Sequence, residues 1–256
     1  MDKFFTCFFN GKEYRGVFYP NDIQTTDLYK QALEFGQITL KTIIADKNLN
    51  TVLSAKDKKL FVSNIGRLGK EGSNKVAFKL SISSKIIEKP IFCTPVSVYF
   101  PKIKDICQWN EIAQTIFEEE GIYGVYGLKD KSILDNLLWS INQNSIIFGI
   151  NRFPTICDKA AHIWYQIARF QAFNNGNKRT AFIATTIFLK NNFLIFDLSS
   201  FDSSNNMEKE LYSVSRKIAQ GQYSEKNVKK FIISHVKTNF DRVQLYFKLL
   251  VKNQKK

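Results

Sequence analysis

Two hydrophobic rhythms divide the chain near residue 105. Before it, short apolar runs alternate with turn residues, the pattern of half-buried strands. Residues 4–9 and 14–19 flank Asn10-Gly11, a dipeptide suited to the positive φ angles of a tight hairpin turn. Residues 75–82 and 91–100 read as further strands, with Pro90, Pro95 and Pro101 at edges or ends, where a missing N–H is tolerated. One helical stretch, 26–45, interrupts them. After residue 105 the apolar positions recur every three or four residues, which predicts helices at 109–120, 132–143, 154–173, 178–191, 207–220 and 225–238. Their ends carry capping chemistry. Asp130, Ser132 and Ser224 can accept from free first-turn amides, Pro154 suits a first helical turn, and Gly121 and Gly221 follow helices where a left-handed residue is often required. The last helix is expected to continue as a basic amphipathic extension. The pattern predicts an α+β protein: a β-rich N-terminal domain at 1–105, a helical domain at 106–240, and a basic C-terminal helix or tail at 241–256.

Composition narrows the class without naming a function. The chain has 256 residues and an ordinary globular share of apolar side chains, 44%. Its net charge is +14, and the Lys/Arg surplus is spread over both halves. Such a field attracts polyanions, so a nucleotide, nucleic acid or an acidic partner protein are the ligand classes to weigh against a merely solvated basic surface. Cys7, Cys93, Cys107 and Cys157 stand far apart, and there are only two histidines, which argues against a zinc site or a disulfide framework. The opening residues are aromatic but broken by Asn10, Gly11, Lys12 and Glu13, unlike a secretion signal. No run of 18 apolar residues offers a transmembrane segment. The expected location is the cytoplasm.

The informative stretch is Phe170-Gln171-Ala172-Phe173-Asn174-Asn175-Gly176-Asn177-Lys178-Arg179-Thr180-Ala181. A long helix should end at Phe173, a tight turn follow, and a second helix begin at Asn177 with two cations in its first turn. Cations there oppose the helix dipole, which favours anions. An anion seated in the turn would remove the conflict, held by the amides of Gly176, Asn177 and Lys178 and gripped by Arg179. Read from the residues alone, this is either a phosphate-binding loop or a connection whose cations face solvent.

The same stretch resembles the Fic/Doc signature H-x-F-x-(D/N)-G-N-(G/K)-R, and N-K-R-T-A is the form of its Doc (death-on-curing) branch. The similarity extends from 122 to 236. Gly127-Leu128-Lys129-Asp130 with Leu134, Leu137 and Leu138 is similar to the family's opening. Phe148-Gly149 and Phe153-Pro154-Thr155 are similar to its flap hairpin and central helix start. Asp158-Lys159-Ala160-Ala161 fits the turn upstream of the motif, and Leu189-Lys190-Asn191-Asn192 fits the exit, with Asn192 in place of a glycine. Ala219-Gln220-Gly221 followed by Ser224-Glu225 is similar to the closing helices.

The resemblance implies an all-α Fic/Doc-like helical domain that binds ATP or another nucleotide triphosphate with Mg²⁺. It implies transfer of AMP or phosphate to a hydroxyl of a target protein in a toxin-like setting, with an antitoxin or other regulator as a further partner. By that resemblance Gly176, Asn177, Lys178 and Arg179 hold the nucleotide phosphates and Phe173 anchors the loop. Asn175 falls on a magnesium-ligand position, where an amide oxygen is a weaker ligand than a carboxylate. Ile147, Phe148 and Gly149 fall on the flap that aligns the target as an added strand.

The departure is Gln171, at the place of the family's catalytic histidine. An amide has no useful basicity near neutral pH, and losing a general base typically costs about 10²–10⁴-fold in rate. His162 precedes it by nine residues, about 13 Å along one helix at 1.5 Å per residue, and is expected to be a partly buried helix residue. His235 is expected at the surface. Either a binder without turnover or an active enzyme disarmed by substitution fits Gln171. The stretch Thr115-Ile116-Phe117-Glu118-Glu119-Glu120-Gly121 comes near the family's inhibitory helix but misses its spacing by one residue, and reads as an ordinary acidic helix end. The rival function is a non-catalytic module that binds nucleic acid or a partner protein through the basic surface.

Overall fold

The computed structural model describes residues 3–9, 11–21, 28–46, 60–67, 76–82, 91–116, 127–142, 146–147, 150–201 and 204–254. Contacts cluster into two units. One comprises Met1–Val98, Lys190–Ile195 and Lys237–Lys256, the other Tyr99–Leu189 and Phe196–Val236. The sheet-bearing unit is thus not one consecutive segment, because the C-terminal residues read as an appended tail cluster with it.

In the first unit β1 (Phe5–Phe9), β2 (Lys12–Asn21), β3 (Leu60–Arg67), β4 (Val76–Ile82) and β5 (Ile91–Ser97) form one mixed sheet in the order β1-β2-β5-β4-β3. β1 and β2 make the expected antiparallel hairpin, although Asn10 of its turn lies outside the described residues. β2 and β5 run parallel, from Arg15 opposite Ile91 to Asn21 opposite Ser97. A parallel pair needs a long crossover, and the chain between them contains α1 (Leu28–Asp46), β3 and β4. β3 has no counterpart among the expected strands. α1 turns Ala32, Phe35, Ile38 and Ile43 inward at helical spacing.

One glycine in this sheet is dictated by packing. Gly16 faces Phe5 across the hairpin, and a Cβ there would lie 2.1 Å from the Phe5 ring. Without that Cβ the ring settles flat over the strand, stacked on Phe18 at 4.5 Å and on Phe247 at 4.8 Å. Phe247 belongs to α8 (Phe240–Gln254), which follows the short strand β9 (Val236–Thr238). The basic segment is therefore a separate helix with an aromatic inner face, not a continuation of the helix before it.

The second unit begins with α2 (Ile103–Ile116) and α3 (Lys131–Asn142), then a two-residue hairpin of β6 (Ile146–Ile147) and β7 (Ile150–Asn151). α4 (Ile156–Phe170) and α5 (Asn177–Asn191) flank the motif. They are followed by α6 (Ser204–Ala219) and α7 (Glu225–His235), after β8 (Leu194–Phe196), whose Leu194 and Ile195 cluster with the first unit. β8 pairs with β9, which is why α7 stops at His235 instead of reaching residue 238.

α4 is the centre of this unit and packs against α3, α6 and α7. It starts in a capping box: the Thr155 hydroxyl accepts from the Asp158 amide, and the Asp158 carboxylate accepts from the Thr155 amide. Lys229 of α7 pairs with Asp158 at 2.7 Å. Trp164 is fully buried, and its Nε1–H donates to Ser215 Oγ at 2.8 Å, so the ring's one polar atom is satisfied. Lys159 is also fully buried. Its ammonium donates to the Ile141 carbonyl at 3.0 Å, at the C-terminal end of α3, where a cation complements the helix dipole.

Candidate functional site

α4 ends at Phe170 because Gln171 adopts the left-handed conformation, φ 55 and ψ 62. The helix is thus shorter than the apolar pattern to Phe173 suggested. For a residue with a Cβ this conformation costs about 1–2 kcal/mol, and glycine or asparagine is the usual occupant. A glutamine held there is a strained position of the kind that clusters at binding sites.

The turn that follows is tied down from three directions. Phe173, 1% exposed, pairs with Leu128 in an isolated antiparallel bridge. Around it the Lys129 and Asp130 amides donate to the Ala172 carbonyl at 2.8 and 3.0 Å, and the Asn174 amide donates to the Gly127 carbonyl at 3.0 Å. The segment Gly127–Asp130 and the motif, more than forty residues apart in sequence, therefore meet through backbone groups. Asp130 is itself fixed by Ser132, whose hydroxyl and amide donate to its carboxylate and hold it below the usual carboxylate range.

The second tie is Asn177. Its Oδ1 accepts from the Phe173 amide at 2.8 Å and its Nδ2 donates to the Phe173 carbonyl at 2.7 Å. The side-chain amide thus acts as a peptide unit that closes the turn on itself. Asn177 was expected among the phosphate holders, but its side chain is committed to this latch, leaving its backbone N–H for an anion.

The third tie comes from α2. Asn110, 1% exposed, donates from Nδ2 to the Asn175 carbonyl at 2.9 Å and to Thr180 Oγ1 at 2.8 Å. Its Oδ1 accepts from Gln114 Nε2 at 3.0 Å. Gly176 lies against this pair with φ 75, and a Cβ there would come within 3.0 Å of Asn110 Nδ2. Both the angle and the space require glycine.

These ties leave a cavity of about 300 Å³ over the turn, lined by Gln171, Asn174, Asn175, Gly176, Asn177, Lys178, Arg179 and Tyr212 with Ala168 and Ala219. Its floor is the N-terminus of α5, where the amides of Asn177 and Lys178 have no intrahelical acceptor. Arg179 is 4% exposed and lines the cavity, and Lys178 holds its ammonium 5.2 Å from the centre of the Tyr212 ring on α6. One expected donor is already used: the Gly176 amide donates to Asn175 Oδ1 at 2.7 Å. The amide wall is therefore narrower than the sequence suggested.

That bond also bears on magnesium. Asn175 Oδ1 is the oxygen that would coordinate the ion, and it already accepts from the neighbouring amide. No group of three or more His, Cys, Asp or Glu that could hold a metal occurs among the described residues. The donor set fits phosphate better than Mg²⁺.

The remaining expected residues fall elsewhere. Ile147 lies in β6, paired with Ile150, while Phe148 and Gly149 lie outside the described residues. So does 117–126, which holds most of the acidic stretch considered as an inhibitory helix. His162 is buried, with Nε2 2.8 Å from Ser140 Oγ, Nδ1 3.2 Å from Glu225 Oε1, and its ring tilted on Phe153. It joins α3, α4 and α7 and does not line the cavity. His235, expected at the surface, is half-buried there, with its ring stacked on both Phe201 and Phe231. The left-handed residue after α5 is Phe193, φ 63, whereas Asn192 is buried, so the exit's glycine-like geometry sits one residue later than assigned. Sequence reasoning missed Asn110 and Tyr212. A polar pair four apart on α2, Asn110 and Gln114, was a faint signal for the first, and Tyr212 gave none.

Fold and site together define a class: a helical domain whose central helix runs through a latched turn into a second helix with two cations in its first turn. Residues 101–189 match the model of the Fic/DOC family. Over 64 residues, 25% of this chain, the sequence is 34% identical to Toxin Doc of Mycolicibacterium smegmatis (strain ATCC 700084 / mc(2)155). That stretch spans 44% of the relative's length, less than half. The segment that matches the family model runs from just before α2 to within two residues of the end of α5.

Proposed function

We propose that the helical unit binds the polyphosphate of a nucleoside triphosphate in the cavity over the α4–α5 turn. We further propose that its chemistry is the transfer of AMP or phosphate to a protein hydroxyl, impaired in this sequence by Gln171. The toxin-like role follows the named relative. The observation that carries the reading is the pair Lys178 and Arg179 in the first turn of α5, both lining one cavity. Two cations at a positive helix end are locally unfavourable, and a bound polyphosphate turns that cost into attraction. The nucleotide would supply the electrophilic phosphorus. Arg179 would grip its phosphate oxygens with a planar fork, the Asn177 and Lys178 amides would donate to a terminal phosphate, and Lys178 would add a point charge.

Gln171 lines the same cavity but cannot take a proton from an attacking hydroxyl, so only positioning and electrostatics remain. Asn175 Oδ1 already accepts from the Gly176 amide, which leaves this neutral oxygen a poor magnesium ligand.

The test is Gln171→His incubated with α- and γ-labelled ATP and cell lysate, beside the parent protein and a titration of both with a non-hydrolysable ATP analogue. The reading expects nucleotide binding by both proteins and label transfer by the histidine variant. If neither protein binds the analogue and the variant labels nothing, the reading is wrong.

A further inference from the structure

Which groups outside the motif decide whether its turn keeps a phosphate-ready shape? Gly127–Asp130 and the Asn177 side chain hold the backbone of residues 172–174, and the Asn175 carbonyl is held separately, from α2, by Asn110 Nδ2 at 2.9 Å. The same nitrogen reaches Thr180 Oγ1 at 2.8 Å. The Thr180 hydroxyl is already oriented, since it donates to the Gly176 carbonyl at 3.0 Å. Thr180 Oγ1 can therefore only accept from Asn110, and both of these contacts depend on Asn110 as donor. Gln114 fixes that orientation by donating to Asn110 Oδ1 at 3.0 Å, so the amide cannot flip without losing three bonds. With Asn110 buried and a Cβ at Gly176 excluded by it at 3.0 Å, the face of α2 is a mould for the back of the turn.

We propose that Asn110 is a positioning residue for the phosphate site: through its bond to the Asn175 carbonyl, α2 sets the direction of the amides and cations that face the cavity. The proposal rests on the nucleotide reading above for its consequence but not for its geometry. It makes α2 one route, beside Gly127–Asp130, by which a change elsewhere in the unit can reach the turn. It also assigns Gln114 the task of choosing which way the Asn110 amide points.

The sharpest substitution is Asn110→Asp. It keeps shape and volume and still accepts from Gln114, but it replaces both donations with an anionic oxygen facing the Asn175 carbonyl and a hydroxyl that can donate to it only by leaving the Gly176 carbonyl. The control is Ser215→Ala, which orphans the buried Trp164 N–H and so weakens the same unit away from the cavity. Amide hydrogen exchange would be followed across residues 173–180 in the free proteins, and binding of a non-hydrolysable ATP analogue would be titrated well below the melting temperature of each.

The expected result is faster exchange in 173–180 for Asn110→Asp and not for Ser215→Ala. Analogue binding should weaken about tenfold or more for Asn110→Asp, on the scale of one well-made hydrogen bond, and stay near the parent's for Ser215→Ala. Unchanged exchange in Asn110→Asp, or equal changes in both variants, overturns the proposal. If the parent fails to bind the analogue, the nucleotide reading falls instead, and the exchange data still decide whether Asn110 holds the turn.

Discussion

Replacing Asn177 with alanine removes two bonds at once, and their cost can be worked out from the geometry. The Asn177 side chain satisfies both the amide and the carbonyl of Phe173, at 2.8 and 2.7 Å, and Phe173 is 1% exposed. Both bonds are part-buried, so the two backbone groups are only partly rehydrated once the side chain is gone. An orphaned buried donor or acceptor costs about 1–3 kcal/mol, so the pair should cost about 2–4 kcal/mol after local relaxation. At a urea slope of about 2 kcal/mol/M, the middle of the usual range, this lowers the midpoint by roughly 1–2 M.

The assay can be confined to the right unit. All three tryptophans, Trp109, Trp139 and Trp164, lie in the helical unit, so fluorescence excited selectively at tryptophan reports its unfolding. Asn177→Asp separates the two bonds. It keeps an acceptor for the Phe173 amide and places a favourable negative charge at a helix N-terminus, but it loses the donor to the Phe173 carbonyl. Its midpoint should fall between those of the parent and the alanine variant, while its anion binding should be abolished. A parent-like midpoint for Asn177→Ala would refute the idea that this side chain closes the turn.

Other expectations follow from single features. Gln171→Gly relieves a left-handed residue of about 1–2 kcal/mol while adding about 0.5–1 kcal/mol of unfolded-chain entropy, so a gain of about 0.5–1 kcal/mol is expected by fluorescence-monitored urea unfolding; a loss contradicts the strain argument. Trp164→Phe leaves Ser215 Oγ without its partner and opens space in the core of α4, which should cost about 2–4 kcal/mol in the same assay. In the sheet-bearing unit, burial pushes the Cys7 thiol up to about 11 and raises Cys93 and Tyr19 as well. The folded form keeps these protons while the unfolded chain loses them. Stability should therefore be full below pH 9, the ordinary thiol value, and fall as pH rises toward 11. Circular dichroism across a urea–pH grid would show this, and a flat profile from pH 8 to 11 would count against it.

The parts of the fold that were legible in the sequence are those with a strong local rhythm. The β1–β2 hairpin and α3 to α7 appear where periodicity put them, within a few residues at the ends. The misses have physical causes. Apolar periodicity carried α4 on to Phe173, but no periodicity can register that Gln171 goes left-handed, because the cost of that choice is borne by tertiary ties to Leu128 and Asn110. The helix expected to run to residue 238 and beyond broke at His235 because Val236–Thr238 pair as a strand with a segment forty residues earlier. The site itself divides in the same way. Lys178 and Arg179 could be chosen from the sequence because charges at the wrong helix end are a local conflict. The role of Asn177 could not, since an asparagine beside a glycine looks equally suited to face an anion or to bind its own chain.

The way the turn is held decides what restoring a base at position 171 should do. The left-handed backbone there is set by the bridge between Leu128 and Phe173, by the two amides on the Ala172 carbonyl and by the Asn177 latch, none of which uses the Gln171 side chain. Histidine tolerates the left-handed region better than most residues with a Cβ, so Gln171→His should enter the same backbone without reshaping it. The urea midpoint should stay within about 0.5 kcal/mol of the parent, as for a surface exchange, while any transfer rate should rise by about 10²–10⁴-fold, the worth of a general base. The two readouts must move independently. A histidine variant that gains activity only together with a large change in stability or in exchange across 173–180 would mean that the turn is rebuilt around the ring, and that the parent's cavity is not a ready-made site awaiting a base.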